Sequence, residues 1–157
     1  EVTRDTPDLD QLIADMFASM YAAEGVGLAA NQIGVGLRIF VIDCPEQDDE
    51  GRPTGRSVVG TVINPTLHLP DGHRELVERT EGCLSVPGAT AVLARVSEAR
   101  VTGFDANWEP IEISGTGLVA RCLQHECDHL EGTVYVDRLP KRARKQALAD
   151  ADFSRGA

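Results

Sequence analysis

A chain of 157 residues with 42% hydrophobic and 25% charged residues suits one globular domain and is short for two independent cores. No apolar run nears the roughly 18 residues that cross a bilayer, and no basic-then-apolar leader stands at the start, which is Glu1 and not Met. The net charge of −10 argues against broad nucleic-acid binding, which needs many Lys or Arg contacts to phosphate.

The first periodic segment is Leu9, Ile13, Met16, Phe17 and Met20, one apolar face of an amphipathic helix. Asp8 is the expected N-cap, Gln11 stands in the capping-box position, and Gly25 is the expected stop. A glycine-rich stretch from Gly25 to Gly34 follows, then an apolar strand from Arg38 to Asp43. Residues 45–57, polar and rich in Gly, Pro and Asp, read as a loop, and Val58–Asn64 as a strand. Thr66–Leu69 and Leu76–Thr80 flank Pro70-Asp71-Gly72 as the arms of a hairpin would. Further strands are expected at Ala91–Val96, Ala99–Asp105 and Ile111–Ser114, with a turn at Asp105–Trp108.

A second helix is expected from Gly117 to Leu130 with Gly132 as its stop, followed by a strand through Val134 and Val136. Pro140 opens a final helix to about Ala151. Short antiparallel strands around a central helix give an α+β fold, read as a single domain over residues 1–157.

Chemistry concentrates on the second helix, in Gln124-His125-Glu126-Cys127-Asp128-His129-Leu130. Histidines four apart lie one turn along the same face, so both imidazoles can reach one metal ion. Glu126 projects beside them, close enough to act on a water at the metal; this is the H-E-x-x-H arrangement. Leu118, Cys122, His125 and His129 share one line on the helix, and two histidines on a buried stripe need polar partners or a metal. A hydrolytic site needs a third protein ligand. Downstream of His129 the carboxylates are Glu131, Asp137, Asp150 and Asp152; upstream, Glu81-Gly82-Cys83-Leu84-Ser85 offers Cys83. Cys122 is a rival thiol, and as a fourth protein ligand it would make the site a structural zinc centre. A general metallopeptidase is the other alternative.

Together with Gly25-Val26-Gly27-Leu28-Ala29-Ala30-Asn31-Gln32, these stretches resemble the three signature motifs of the peptide deformylase family. The likeness runs from about Leu9 to Leu148 and keeps the family's motif order, although members usually carry a short extended segment before the first helix. It implies a metal-dependent hydrolase that removes the formyl group from the N-terminal formyl-methionine of nascent polypeptides and releases formate; a deformylase-like protein that has lost activity is the alternative within the family. By resemblance Cys83, His125 and His129 bind the metal, with a water in the fourth place, and Glu126 moves its proton. Gln32 and the Leu84 backbone N–H would stabilise the oxyanion. Val26 and Gly27 would pair with the peptide backbone, and Leu84, Arg121 and Cys122 would line the Met pocket. The ligand set suits Fe2+, Zn2+, Ni2+ or Co2+, with Fe2+ expected in the cell.

Glu81 and Asp128 are expected to support the ligands, Asp128 with Arg95 or Arg100 as partner. Cys44 and Cys127 read as inert thiols in a reducing compartment, His68 and His73 as solvated. Lys141, Arg142, Arg144 and Lys145 form a basic cluster, a solvated face or a dock for ribosomal RNA. The expected location is cytoplasmic, bacterial before organellar, with no membrane partner.

Overall fold

The computed structural model describes residues 1–48, 50–83 and 85–151. In chain order its elements are α1 (Leu9–Ala22), β1 (Gly27–Ala29), β2 (Ile39–Gln47), β3 (Pro53–His68), β4 (Leu76–Cys83), β5 (Val86–Val96), β6 (Glu98–Phe104), β7 (Pro110–Thr116), α2 (Gly117–Leu130) and α3 (Lys141–Asp150). Single 3-10 turns stand at Ala30–Ile33 and Tyr135–Arg138. The α+β class is as expected: five strands make one antiparallel sheet, ordered β1-β2-β3-β6-β7, and β4 with β5 makes a separate ribbon.

The layering follows from the apolar run in β2. Successive side chains of a strand point to opposite faces. Phe40, Ile42 and Cys44 therefore enter one core with Val119, Ala120 and Leu123 of α2. Ile39 and Val41 enter another with Ile13, Met16 and Met20 of α1. Both faces of β2 are thus covered, which explains an unbroken apolar segment in an antiparallel sheet. The ribbon has its own small core, in which Val86, Ala89 and Leu93 pack against Tyr135, Val136, Leu139 and Ala147. Among the described residues no helix is long and apolar enough to cross a membrane.

α2 lies where its motif requires. Gln47 Oε1 accepts from the Leu118 N–H at 3.1 Å and caps the helix start from β2. At the other end Gly132, at φ 80°, sits just past the cap, with the Thr133 N–H on the Asp128 carbonyl and the Gly132 N–H on that of His129. This is a Schellman stop at the expected glycine.

Several local expectations are corrected. Asp8 stands in the left-handed region and makes no side-chain cap, and Gln11 bonds Asp15 instead. α1 ends in a Schellman motif whose left-handed residue is Glu24, at φ 56°, while the Gly25 N–H bonds the Met20 carbonyl. Most of residues 45–57 are strand, because β2 and β3 run on as an exposed two-stranded arm with a bulge between Pro45 and Gln47. The segments around Pro70–Gly72 are not a hairpin: Thr66 pairs with Thr102, and Leu76 pairs with Val96 in the ribbon. Val134 and Val136 do not lie in a strand. Tyr135 and Val136 are both buried in a 3-10 turn, a spacing that a half-buried strand cannot provide.

Candidate metal centre and peptide groove

Cys83 is the last residue of β4, at a break in register between Gly82 and Cys83 that turns its thiol out of the ribbon. The thiol meets α2. Its Sγ lies 3.2 Å from His129 Nε2, which is 3.1 Å from His125 Nε2. All three ligand atoms fall within 4.8 Å of one another. The other nitrogen of His125, Nδ1, lies 2.5 Å from Glu81 Oε1. Glu81 is an acceptor there, so Nδ1 carries a proton and Nε2 is the atom turned to the cluster, where a bound ion would take the place of a second proton.

The rest of the cluster shows what such a site needs. Glu126 is buried, and its Oε2 has no hydrogen-bond partner among the described residues. Burial pushes its carboxyl up to about 7, with His125 and His129 drawing it down. Burial would also raise the Cys83 thiol, yet hydrogen bonds to both histidines bring it down to about 5. Glu81 is held down to about 2: burial opposes ionisation, and Arg95 and His125 overcome it. His125 is raised to about 10, because its bonds to Cys83 and Glu81 outweigh its burial. One thiolate, two imidazoles and an orphaned buried carboxylate oxygen beside them fit a divalent cation with a water.

Gln32 is fixed from both ends. Its Oε1 accepts from the Ala29 N–H at 2.9 Å, and its Nε2 lies 3.7 Å from Cys83 Sγ and 3.2 Å from Ser85 Oγ. The amide donor therefore faces the cluster. Leu84 lies outside the described residues. Asn31 bonds the His129 carbonyl and fastens the glycine-rich stretch to the end of α2.

A cavity of about 1400 Å³ opens beside the cluster, lined by Val26, Gly27, Cys122, His125 and Glu126 among others. β1 is the edge strand of the sheet. The Asp43 N–H bonds the Val26 carbonyl at 2.9 Å, so Val26 faces β2. By antiparallel alternation the N–H and C=O of Gly27 point away from β2 into the cavity. Of the two residues expected to pair with a peptide, Gly27 turns both backbone groups to the cavity, and the Val26 carbonyl is taken by Asp43. Cys122 is buried, with Sγ 3.8 Å from the Val26 carbonyl. Arg121 also lines the cavity, but its guanidinium is occupied by Val77, Arg79 and Leu93 carbonyls and by Glu81.

The expected Asp128 partner, Arg95, bonds it at 2.8 Å, while Arg100 pairs with Glu112. Sequence reasoning missed Arg138, which grips both oxygens of Asp128 at 2.6 Å. A buried mid-helix acid signals that partners exist, without naming them. His68 bonds Thr102 Oγ1, His73 is exposed, and neither reaches the cluster. Cys44 and Cys127 are buried and in no disulfide.

Comparison with known proteins gives the family and the fold. The polypeptide deformylase family matches residues 1–145. Peptide deformylase 1 of Streptomyces avermitilis is 58% identical over 149 residues, covering 94% of this chain and 66% of its own length. Peptide deformylase 2 of Streptomyces coelicolor is 51% identical, covering 94% of this chain and 78% of its own length. The crystal structure of peptide deformylase from Ehrlichia chaffeensis superimposes with a TM-score of 0.82 at 39% identity, covering 95% of this chain and 84% of that one. The same enzyme in complex with actinonin gives 0.81 at 40% identity, with the same coverage.

Proposed function

The chain belongs to the polypeptide deformylase family, whose members remove formyl groups from nascent peptides, and we propose that it does so with Cys83, His125, His129, Glu126 and Gln32 as its site. Residues 1–157 act in this reading as one catalytic domain. The observation that carries it is the meeting of Cys83 with both histidines beside the unpartnered Glu126 oxygen. Cys83, His125 and His129 would hold one divalent ion, which when bound acidifies water and polarises a carbonyl oxygen.

The chain's own groups do the rest. Glu126 Oε2 takes a proton from the attacking water, in keeping with a carboxyl raised to about 7 by burial. The water oxygen bonds to the formyl carbon, and the negative charge developing on the formyl oxygen is met by the Gln32 Nε2–H. The Leu84 N–H is the second donor that the family resemblance implies. Glu126 then delivers its proton to the amine nitrogen as the C–N bond breaks, leaving formate and a free N-terminus. Gly27 holds the peptide backbone at the edge of β1, in the manner of an added strand. Val26 would flank that contact, and Cys122 with the stem of Arg121 and Leu84 would face the Met side chain.

The thiolate and two imidazoles accept iron(II), zinc, nickel or cobalt, and iron(II) is the ion proposed for the cell. The proposed location is the bacterial cytoplasm. On α3, Lys141, Arg142, Arg144 and Lys145 are all exposed, which supports docking on ribosomal RNA. Charge reversal at Lys141, Arg142 and Lys145 with unchanged co-sedimentation on ribosomes would refute the docking.

The deciding experiment is formate release from an N-formyl-methionyl peptide by anaerobically purified, iron-loaded protein, beside Glu126→Ala. Formate from the first and almost none from the second, with metal retained in both, is the expected result. No formate from the metal-loaded wild type overturns the proposal.

A further inference from the structure

We infer that Arg121 is a positioning residue that ties the ribbon carrying Cys83 to the helix carrying His125 and His129; the inference rests on the metal site proposed above. The donor set belongs to two separate units. Cys83 ends β4, whose strand pairing is confined to β5, and both histidines lie on α2. The apolar cores do not join these units: α2 packs with the five-stranded sheet, whereas the ribbon packs with the Tyr135–Arg138 turn and α3. Hydrogen bonds from Arg121, Gln124, His125 and Arg95 do cross between ribbon and α2.

Arg121 makes the densest of those crossings. Its guanidinium donates to the carbonyls of Val77 at 2.8 Å, Arg79 at 3.3 Å and Leu93 at 2.7 Å, and to Glu81 Oε2 at 2.9 Å. One side chain, 9% exposed, thus grips both strands and the carboxylate that orients a ligand. His125, one helical turn further on, donates to Glu81 Oε1 at 2.5 Å. Glu81 is therefore pinned to α2 at positions i and i+4, with Cys83 two residues beyond it on the strand. Metal ligation tolerates shifts of about 0.2 Å, so this junction sets whether Sγ and the two Nε2 atoms present one site.

Other ties remain when Arg121 is removed, besides the His125–Glu81 bond. Gln124 bonds the Val96 N–H and carbonyl, and Arg95 bridges Glu81 to Asp128. The effect of losing Arg121 is accordingly partial. Outer partners of metal ligands commonly account for 10–100-fold in metal affinity, and that is the expected range.

The test uses the cobalt(II)-substituted protein, whose thiolate-to-cobalt charge-transfer band reports the engagement of Cys83, with chelator competition giving metal retention. Arg121→Met, which keeps an apolar stem without donors, is expected to hold metal about 10–100-fold less tightly, with a weaker charge-transfer band and a lower kcat. Arg121→Lys offers one point charge in place of a fork and falls between Met and wild type. Wild-type retention and an unchanged band in Arg121→Met, even with a lowered Tm, overturn the inference. Should Arg121→Met not fold, wild-type values in Arg121→Lys overturn it equally. Absence of the band in the wild type would instead sink the metal site itself, a separate outcome.

Discussion

Gly27→Ala isolates the contact between the peptide groove and Glu126. A Cβ on Gly27 would lie 2.9 Å from Cys122 Sγ, 3.0 Å from Glu126 Cγ and 3.1 Å from Glu126 Cδ. Carbon atoms in contact rest at about 3.5–4.0 Å, so the methyl intrudes by roughly half an ångström or more on each neighbour. Gly27 is not among the positive-φ residues, so alanine adds no backbone strain and the effect is steric alone. β1 is held by its register with β2, and Glu126 lies within α2, so the Glu126 side chain is the part that moves. Displacing a reacting group by about 1 Å can cost on the order of 100-fold in rate, or about 2.7 kcal/mol of barrier. Overpacking itself costs about 1–3 kcal/mol of stability. The assay is formate release from a formyl-methionyl peptide with metal content measured in parallel. A kcat lowered about 100-fold is expected, with metal retained and Tm down by a few degrees. Adding Cys122→Ala removes only the sulfur contact, so the double variant regains stability without regaining kcat. Wild-type kcat in Gly27→Ala, or full rescue by Cys122→Ala, would refute the reasoning.

Three further outcomes follow from polar groups in and around the site. Tyr135 carries a buried hydroxyl with no partner among the described residues, so Tyr135→Phe should leave stability unchanged or raise it by about 1 kcal/mol in urea melts; a loss of that size would reveal a partner. Glu81 is depressed from 4.5 to about 2, so its stabilisation is complete above pH 4.5 and lost as the pH falls toward 2. That shift amounts to about 3 kcal/mol, and Glu81→Gln should flatten the acid limb of a stability–pH curve; an identical limb would contradict it. Cys83 is the one free cysteine that is not buried, and its thiol is drawn down to about 5. Chelator-treated protein should therefore take up one iodoacetamide, at Cys83, and zinc should block it; labelling that zinc leaves unaltered would place the metal elsewhere.

The parts legible in the sequence were those fixed by local geometry. His125 and His129 share a helix face by spacing alone, and Gly132 stops that helix because the left-handed residue of a Schellman motif favours glycine. Asp128 announced a partner because an acid buried in mid-helix needs one. The arm over residues 45–57 was not legible, since most of its side chains face solvent and leave no hydrophobic alternation. The supposed hairpin failed for another reason: Pro70-Asp71-Gly72 does turn the chain, but strand partners are chosen over longer distances than a turn can specify.

Arg121 marks the same boundary within the site. On the helix it reads as a long side chain one turn before a ligand, which suits a pocket wall. Its four acceptors lie 28 to 44 residues away, on strands whose pairing no local pattern gives. The motifs therefore point to the atoms proposed as metal ligands, because each is marked by its own neighbours. They do not identify what holds the two units at the right separation, because that depends on a junction between segments that fold as different layers. Losses at such junction residues should accordingly appear as weakened metal retention with every ligand still present.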